Sequence, residues 1–512
     1  MDEEFDGYVT ATPYTHAYYP ESSPANLLLA AFNRSVPFPS SRPLRYLELG
    51  YGNGISLNIH AAASPGSYWG VDINLAHAAT ANSLAAASGS GLRALTASFE
   101  ELLEHPDLPQ FDIIVALGVW SWVSDANRKT IVELMHRHLV EGGLFCMSSV
   151  ALPGFGELVP LQRLLRLNLK NDVGPGTIFE KLESGIGLAM ALQKAGSRFL
   201  AEDSFAGRKL ETMKTADRAY LVHEYLHEHW KPTLFADTAS QLQAAGLRFV
   251  GGAKPLDQFD ELNFHPEALE LLASIDDPWL RETARDFLRS GHVRHDVYVK
   301  GNEPLQPLSR PALDLRFVLC VPASLAKTRS ISTPVARLGF GLPPFRDILD
   351  ALGAEPYRSW SFDELIDRPS AGGIERQELM RALMLLVDAD IVAPAQPAAR
   401  AVEAAAACSR LNADILRRSL TDGRIQALAS PVTGGGVPVS RIEQLCLLAL
   451  RQGASSPQQL AEFAWNAIGA NSTVRNDDRA DDHPTAAHVL KEVLYFSQRL
   501  PHLTALKLTG DV

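Results

Sequence analysis

A short run near residue 50 constrains the fold of this chain more than any other feature. The run spans residues 47–54 and has the sequence LELGYGNG. It separates an alternating apolar stretch from a stretch with apolar residues at helical spacing, so it predicts a strand, a tight turn and a helix. Glycines in the turn permit positive φ and let a ligand lie close to the backbone. Amide groups at the start of the helix can then face that ligand.

Three classes of ligand commonly bind at such a turn. The phosphate-binding loop of an NTPase requires Gly-Lys-Ser/Thr, whereas Ile55 and Ser56 follow Gly54. A dinucleotide-binding fold requires a further glycine and an uninterrupted apolar strand, but Ile55 occupies the glycine position and Glu48 interrupts the strand. A carboxylate just inside the turn suits a ligand with a cationic end and a free amino group. This pattern favours S-adenosylmethionine.

An acidic residue ends the next predicted strand. Residues 68–72 have the sequence YWGVD, which places Asp72 where a carboxylate can bind ribose hydroxyls. A charge-assisted hydrogen bond contributes roughly 1.5–3 kcal/mol, so loss of Asp72 is expected to weaken cofactor binding about tenfold or more. Further strands are predicted at residues 92–98, 111–118 and 144–150, in alternation with helices. The alternation predicts a parallel α/β fold.

As a set, these features resemble the class I S-adenosylmethionine-dependent methyltransferases. The similarity rests on Glu48 with its three glycines, on Asp72, on Phe111-Asp112, and on a Gly142-Gly143 turn after a helix predicted to end at Leu139. It implies a Rossmann-like sheet of seven strands and S-adenosyl-L-methionine as the cofactor. The positions that the resemblance assigns to cofactor binding are Glu48, Gly50, Gly52, Asn53, Gly54, Asp72, Ile73, Ser98, Phe99, Leu117 and Gly118.

Further motifs are similar to those of bacterial methyltransferases that carry an appended regulatory region. They are YTHAY at residues 14–18, GVWSWV at 118–123, Pro153-Gly154-Phe155, and HEYL at 223–226. Some members of that group methylate lysines of outer-membrane proteins. Aromatic rings can surround a sulfonium or ammonium ion, and a histidine can accept a proton. The candidate catalytic residues are therefore Tyr14, His16, Trp120 and Trp122, with Tyr18 as a further aromatic candidate.

Tyr51 departs from the family pattern, which usually has a small residue or a cysteine at this position. A ring directed towards the ligand would crowd the cofactor, and a cofactor-free binding protein that has kept the fold would then be the alternative. We expect the ring to turn away, because the glycines alone line the turn.

Composition disfavours several classes of protein. The net charge of −12 argues against a nucleic-acid partner, because binding of phosphates depends on clustered lysines and arginines. The four cysteines are far apart and form no Cys-x-x-Cys pair, which predicts neither a disulfide scaffold nor a zinc ribbon. The acidic N-terminus and the absence of a long apolar run predict a cytoplasmic protein without a membrane span.

The length predicts about three domains. A helical pattern after the fifth strand is expected to form an insertion that covers the acceptor, and its basic residues Arg163, Arg166 and Lys170 are expected to form a solvated face. Strands at residues 247–251 and 295–299 would then complete the sheet. The predicted division is a methyltransferase core at 1–160 and 231–302, a helical insertion or lid at 161–230, a winged-helix-like regulatory module at 303–395, and a mainly helical C-terminal domain at 396–512.

The winged-helix interpretation rests on local patterns in the middle module. A capping-box pattern starts a helix at Ser361, a second helix is predicted at residues 375–387, and a short strand follows at 390–392. A DNA-binding module would need basic residues on the second helix, but the charges there are nearly balanced. Contact with protein is therefore favoured over contact with DNA.

Residues 223–227, HEYLH, match the signature of zinc proteases, in which two histidines bind the metal and the glutamate activates water. A zinc hydrolase acting through His223, Glu224 and His227 is a minor alternative, because the family likeness accounts for most of this segment without metal. No metal site is predicted.

The sequence thus favours a methyltransferase that acts on a protein side chain, with a lysine amine preferred. A lysine must first lose its proton, because its unperturbed pKa is about 10.4, and an apolar pocket favours that loss. Large appended modules without a nucleic-acid signature favour a protein substrate. The alternatives are a methyltransferase for small molecules and a cofactor-free binding protein, and a homodimer is retained as an option.

Overall fold

The computed structural model of the protein describes residues 4–36, 43–172, 174–289, 293–301, 315–368, 373–472 and 485–509. An N-terminal segment precedes the main sheet and contains two short paired strands and one helix: β1 (Glu4–Phe5), β2 (Tyr8–Val9) and α1 (Pro24–Asn33). The helix begins at Pro24 because the Ser23 side chain accepts a hydrogen bond from the Asn26 amide, and proline suits the first helical position.

Seven strands form the central sheet, in the order β5-β4-β3-β6-β7-β9-β8. β9 runs antiparallel to both of its neighbours, and the remaining pairs are parallel. This topology confirms the predicted Rossmann-like sheet. The strands are β3 (Leu44–Leu49), β4 (Gly66–Asp72), β5 (Arg93–Thr96), β6 (Phe111–Ala116), β7 (Leu139–Val150), β8 (Leu247–Gly252) and β9 (Val293–Lys300).

The start of β7 differs from the prediction. We expected a turn at Gly142-Gly143 before the strand, but the strand already begins at Leu139 and includes both glycines. Its pairing with β6 is irregular: Phe111 pairs with Leu139, and Ile113 with Leu144. Gly142 has a φ of 75°, which a glycine adopts without strain. The two glycines therefore form a bulge inside the strand instead of a turn in front of it.

Helices cover both faces of the sheet. Those in the first half of the core are α2 (Ile55–Ala63), α3 (Leu75–Ser88), α4 (Phe99–Leu103) and α5 (Asp125–His138). The insertion after β7 is helical, as predicted, and consists of α6 (Val159–Asn171), α7 (Ile178–Lys194), α8 (Phe205–Met213) and α9 (Arg218–Tyr225). The core continues with α10 (Phe235–Gln243), α11 (Asp260–Asn263), α12 (Pro266–Ala273) and α13 (Pro278–Arg289).

The middle region combines helices with small antiparallel sheets. One sheet has the order β13-β10-β14, and β11 pairs with β12. A capping box at Ser361 starts a short helix, as its sequence pattern predicts. The winged-helix assignment itself stays a prediction. The elements are β10 (Arg316–Leu319), α14 (Ala323–Ala326), β11 (Ser330–Ser332), β12 (Arg337–Gly339), α15 (Phe345–Gly353), β13 (Trp360–Ser361), α16 (Phe362–Ile366), α17 (Arg376–Asp388) and β14 (Val392–Ala395).

The C-terminal region is mainly helical, as predicted, with one hairpin. It contains α18 (Ala398–Arg418), β15 (Ala427–Ser430), β16 (Gly435–Pro438), α19 (Arg441–Arg451), α20 (Pro457–Ser472) and α21 (Ala486–Ala505). α18 packs against the core helices α2 and α3 through a shared apolar cluster that includes Ile55, Ile59 and Leu411.

The predicted domain boundaries stay proposals. The one near residue 303 lies outside the described residues. No helix among the described parts of the chain has both the length and the apolar character needed to cross a membrane.

Candidate active site

A cavity of about 600 Å³ lies at the carboxyl edge of the central sheet. The strands β3, β4 and β6 end there, where ligands bind in open α/β sheets. Side chains of the N-terminal segment, α9 and β9 complete its wall. Every residue assigned to cofactor binding from the sequence lines this cavity: Glu48, Gly50, Gly52, Asn53, Gly54, Asp72, Ile73, Ser98, Phe99, Leu117 and Gly118.

The glycine turn after β3 presents bare backbone to the cavity. Gly50, Gly52 and Gly54 all have positive φ, at 67°, 57° and 69°. A Cβ on Gly50 would lie 2.6 Å from Val119 Cγ2, and a Cβ on Gly54 would lie 2.6 Å from Ala81 Cβ. A Cβ on Gly52 would have no neighbour within 4 Å. Gly52 is therefore the position at which a ligand can lie directly against the backbone.

The ring of Tyr51 turns away from this surface. Its hydroxyl donates a hydrogen bond to the Leu95 carbonyl at 3.0 Å. The ring packs over Gly70 of β4, where a Cβ would lie 2.8 Å from Tyr51 Cδ1. Gly70 leaves the space that the ring fills. Tyr51 still lines the cavity, but its ring is held against β4 and its hydroxyl against Leu95, which agrees with the expectation that the ring turns away.

Glu48 provides a buried carboxyl group at the end of β3. The Tyr46 hydroxyl donates to its Oε2 at 3.4 Å. Burial raises the pKa of Glu48 to about 8, because desolvation disfavours the charged form. A cationic group placed beside Glu48 would favour its ionised form, so this residue suits the amino group of the cofactor.

The carboxylate of Asp72 is held by three protein donors. Its Oδ2 accepts from the Gly52 backbone N–H at 2.8 Å, and its Oδ1 accepts from the Asn74 N–H at 2.8 Å. The ring nitrogen Nδ1 of His77 lies 3.0 Å from Oδ1. A carboxylate oxygen accepts two hydrogen bonds, so Oδ2 retains one acceptor position. The geometry fits a contact between Asp72 and one ribose hydroxyl.

Residues 4–19 form an N-terminal strap across one side of the cavity. Tyr14 and Tyr19 of the strap line the cavity wall. The Asn53 side chain donates to the carbonyls of Tyr14 and Thr15, at 2.5 and 3.3 Å. The side-chain nitrogen of Asn53 therefore binds the strap. The sequence had assigned this residue to cofactor binding, and it also lines the cavity.

The HEYLH segment also binds the strap, at residues that precede the Asn53 contact in sequence. His223 donates from Nε2 to the Thr12 carbonyl at 2.8 Å, and His227 accepts at Nδ1 from the Val9 N–H at 3.0 Å. Burial lowers the pKa of His223 to about 4 and that of His227 well below its ordinary value. Among the described residues, no group of three or more His, Cys, Asp or Glu side chains is placed to hold a metal ion. The geometry gives the zinc hydrolase alternative no support.

Arg166 also joins the strap to the insertion, which corrects its assignment to a solvated face. Its side chain is buried and donates to the Leu226 carbonyl at 2.9 Å. It forms ion pairs with Glu4 of the strap and with Glu228. The helical spacing of the basic residues did not reveal this, because the partner Glu4 is remote in sequence.

One part of the cavity wall is both aromatic and acidic. The Tyr14 hydroxyl donates to Glu224 Oε1 at 3.0 Å, and Tyr19 and Tyr220 line the same cavity. Burial raises the pKa of Glu224 to about 7, and it raises the pKa values of Tyr19 and Tyr220 to about 12. The tyrosines are therefore neutral at pH 7, whereas Glu224 can gain or lose a proton there.

A second polar pair lies at the β9 end of the cavity. Ser148 of β7 and His295 of β9 are directly opposite each other in register, and Ser148 Oγ accepts from the Gly118 N–H at 2.7 Å. His295 Nε2 lies 3.3 Å from Glu21 Oε1. Burial lowers the pKa of His295. Two strands, β3 and β6, separate this pair from β4, which carries Asp72, so the cavity extends well beyond the glycine turn.

The structure brings one of the two candidate tryptophans to the cavity. Trp122 lines the wall, but Trp120 is fully buried in the sheet core, and its carbonyl accepts from Arg128 Nε at 2.9 Å. This corrects the catalytic assignment of Trp120. Residues 117–122 form consecutive turns, in which sequence alternation does not indicate the direction of a side chain.

His16 and Tyr18 are likewise corrected, because neither lines the cavity. Burial and the nearby Arg424 lower the pKa of His16 to about 4, so this side chain lies beside the C-terminal region. The Tyr18 hydroxyl accepts from the Gly436 N–H at 2.7 Å. Both residues therefore connect the strap to the C-terminal region.

Several residues of the cavity wall were missed or misassigned from the sequence. Glu21 lies two positions after the YTHAYY run, and Glu224 belongs to a motif that was considered for zinc. Pairing between distant elements brings the others into place, and no local pattern marks them. The missed residues are Tyr19, Glu21, His77, Tyr220 and His295.

Comparison with known proteins assigns two parts of the chain to family models. Residues 47–143 match the model of a methyltransferase domain, and residues 217–300 match that of a predicted methyltransferase regulatory domain. The second range includes α9 and β9, which supply Tyr220, Glu224 and His295 to the cavity wall. The region described as regulatory therefore forms part of the cavity itself.

Relatives extend over the whole chain. The uncharacterized protein sll1526 of Synechocystis sp. is 30% identical over 98% of this chain and 99% of its own length. The uncharacterized protein RP789 of Rickettsia prowazekii is 24% identical over 55% of this chain and 50% of its own. Among solved structures, PKMT2 from Rickettsia typhi in complex with AdoHcy has a TM-score of 0.64 at 16% identity, covering 97% of this chain and 100% of that chain. The fold is thus shared from end to end.

Proposed function

This chain belongs to the class I S-adenosylmethionine-dependent methyltransferases with an appended regulatory region, and on that premise we propose that its methyl acceptor is the amine of a lysine side chain in a protein. The reaction class and the cofactor follow from the family. The acceptor is inferred from the aromatic and acidic wall of the cavity.

The arrangement of Tyr14, Tyr19, Tyr220 and Glu224 carries this proposal. Aromatic rings attract an ammonium group through cation–π contact and also pack against an aliphatic chain. The carboxyl group of Glu224 lies among these rings, bonded to the Tyr14 hydroxyl. A lysine side chain combines a long apolar stem with a cationic end, and this wall complements both parts.

The residues of the wall can prepare an amine for reaction. The bound cofactor supplies an electrophilic methyl group, and transfer requires an amine lone pair about 3–3.5 Å from that carbon. Glu224 is suited to accept the amine proton, because a general base works best when its pKa is close to the working pH, and burial sets that of Glu224 to about 7. The strap lines one side of the same space.

The structural relatives support the proposal. PKMT2 of Rickettsia typhi is by its name a protein lysine methyltransferase, and its fold matches nearly the whole chain, including the appended modules. A net charge of −12 favours a protein over a nucleic acid as substrate. A basic protein segment would be attracted to such a surface.

The test of the acceptor uses S-adenosylmethionine with a tritiated methyl group and a cell lysate separated by size. Label in protein bands, recovered as methyllysine after hydrolysis, is the expected result. Label in small solutes would instead identify a small-molecule methyltransferase and contradict the proposal. Absence of label together with absence of cofactor binding would indicate a binding protein.

The variant Glu224→Gln tests the role of the carboxyl group. For the wild type, kcat/KM is expected to rise from pH 6 to pH 8, because Glu224 must be ionised to accept a proton and its pKa is about 7. The variant is expected to lose about 100-fold or more in kcat, the usual contribution of a general base, while cofactor affinity stays unchanged. The variant Glu211→Gln, at an exposed carboxylate on the insertion, is the matched control. Equal activity of the two variants would contradict the assignment.

Three further properties remain proposals. A homodimer is supported by Leu188 and Leu192, which are exposed one turn apart on α7, and sedimentation analysis of the purified protein tests it. A cytoplasmic location and the absence of a nucleic-acid partner are supported by the sequence alone. Cell fractionation tests the first, and a filter-binding assay with RNA and DNA tests the second.

A further inference from the structure

His77 lies in the wall of the cavity but belongs to no motif that the sequence offers. It lies near the start of α3, five positions after Asp72, and its side chain is 1% exposed. In a histidine buried to this extent, each ring nitrogen without a partner costs free energy. Both partners are present: the backbone N–H of Tyr14 and the carboxylate of Asp72.

The two contacts define the tautomer of His77. The backbone N–H of Tyr14 donates to Nε2 at 2.7 Å, so Nε2 must carry a lone pair. The other nitrogen, Nδ1, lies 3.0 Å from Asp72 Oδ1 and therefore bears the proton and donates it to the carboxylate. The ring is thus an acceptor towards the strap and a donor towards the acidic residue at the end of β4.

The contact with Asp72 limits what that carboxylate can offer a ligand. The His77 Nδ1–H and the Asn74 N–H together use both acceptor positions of Oδ1. The Gly52 N–H uses one position of Oδ2. His77 therefore fixes the rotation of the carboxylate and leaves a single acceptor position on the oxygen that is already bonded to the glycine turn.

The contact with Tyr14 fixes the strap over the same turn. Tyr14 is bonded through its N–H to His77 and through its carbonyl to Asn53, which lies next to Gly52. The hydrogen bonds form a closed circuit from the strap through His77 and Asp72 to Gly52, and back through Asn53. A shift of the strap must therefore break a contact of the cofactor turn.

We propose that His77 is a positioning residue for the cofactor: it orients Asp72 towards one ribose hydroxyl and fixes the strap over the bound molecule. This role rests on the family reaction and is independent of the acceptor. It predicts that selectivity for the ribose depends on the Nδ1 contact, whereas retention of the cofactor depends on the Nε2 contact.

Two substitutions separate these contacts. Glutamine places an amide near the position of Nε2, so His77→Gln keeps an acceptor for Tyr14 and loses the donor to Asp72. Asparagine places an amide near Nδ1, so His77→Asn keeps the donor to Asp72 and loses the acceptor. The probes are S-adenosylhomocysteine and its 2′,3′-dideoxyribose analogue, with affinity measured by calorimetry and dissociation by stopped flow.

We expect His77→Gln to bind S-adenosylhomocysteine about tenfold more weakly, as the loss of one charge-assisted hydrogen bond implies, and to discriminate less against the dideoxy analogue. We expect His77→Asn to retain that discrimination but to release the ligand faster. Unchanged discrimination in His77→Gln overturns the proposal, whatever the affinity.

A measurement on the unmodified protein keeps the proposal testable if the variants do not fold. Histidine labelled with ¹⁵N reports the protonated ring nitrogen by NMR. The expected result is the Nδ1–H tautomer for His77, whose signal is assigned by the contact of the ring with the Tyr14 amide. An Nε2–H tautomer would overturn the proposal.

Discussion

Burial gives two carboxyl groups in this cavity pKa values close to neutrality. The pKa of Glu48 is raised to about 8 and that of Glu224 to about 7, in both cases mainly by desolvation. Glu48 adjoins the glycine turn, whereas Glu224 lies among the tyrosines. Desolvation thus acts on both carboxyl groups, but their surroundings differ: Glu48 is placed to pair with a cation, and Glu224 is placed to accept a proton.

Cofactor affinity should depend on pH through Glu48. The cationic amino group of the ligand pairs with the ionised carboxylate, so affinity for S-adenosylhomocysteine should rise between pH 6 and pH 8, by up to about tenfold per unit below the pKa. The variant Glu48→Gln should bind more weakly and show a flat profile. Calorimetry across this pH range checks the slope, and a steep profile in the variant would show that another group is responsible.

At the residue scale, the sequence predicted site residues more reliably where the backbone conformation requires a particular residue type than where only the chemistry of the side chain suggested a role. Gly52 could be assigned because only a glycine fits a ligand against a turn with positive φ. Trp120 and His16 were chosen for their chemistry, and both point away from the cavity. The direction of a side chain in an irregular segment depends on packing that a single sequence does not display.

At the scale of elements, the strap forms one side of the cavity wall. It has little regular structure of its own and is held by side chains of the HEYLH segment, of α3 and of the cofactor turn. Its contacts join positions more than 200 residues apart. The HEYLH motif therefore gains a structural explanation as the docking site of the strap.

Weakening the contacts between the HEYLH segment and the strap should speed up release of the cofactor. The variant His227→Ala removes the acceptor for the Val9 N–H, which leaves a buried donor unpaired at a cost of roughly 1–3 kcal/mol. We expect faster dissociation of S-adenosylhomocysteine and faster proteolysis of the strap. The variant His136→Ala, at an exposed histidine on α5, should behave like the wild type. Equal dissociation rates in both variants would show that the strap does not retain the cofactor.

The sequence predicted the strands and helices of the core because buried parallel strands and amphipathic helices leave periodic patterns. It placed the start of β7 incorrectly, since a bulge at Gly142 and a turn at Gly142 have the same local signature. The strap carries no periodic pattern, so its path could not be predicted. Only contacts between distant residues define it.

At the scale of the whole molecule, the C-terminal region packs against α2, the helix that follows the glycine turn. α18 packs on α2 and α3, where Cys408 Sγ donates to the Ala62 carbonyl and Arg410 Nε to that of Ser88. The apolar cluster of the C-terminal region includes Ile55, the first residue after the glycine turn. The position of the turn thus depends on a region remote from the chemistry.

This packing predicts that the core and the C-terminal region unfold together. The variant Leu411→Ala removes a fully buried side chain from the shared cluster and should lower the free energy of unfolding by about 2–5 kcal/mol. Val402→Ala, at a side chain on the same helix that is 78% exposed, should change it by less than about 0.5 kcal/mol. Denaturant titration should show one transition for each variant. A separate early transition in Leu411→Ala would contradict the shared core.

The family likeness predicted the number of strands in the central sheet, but not how the modules pack. Tyr18 and His16 were read as active-site candidates, whereas they join the strap to the C-terminal region. Contacts between modules bury residue types that also occur in active sites. Sequence patterns alone do not separate these two uses.

The central claim is that the bare backbone at Gly52 holds the cofactor, and calorimetry with S-adenosylhomocysteine on the wild type and on Gly52→Ala tests it most directly. A Cβ at Gly52 meets no protein atom but projects into the ligand space, so the variant should fold at a cost of only about 1–2 kcal/mol for its positive φ. We predict one ligand bound per wild-type chain and a loss of binding in the variant. No binding to the wild type, or equal binding to both proteins, would contradict the account.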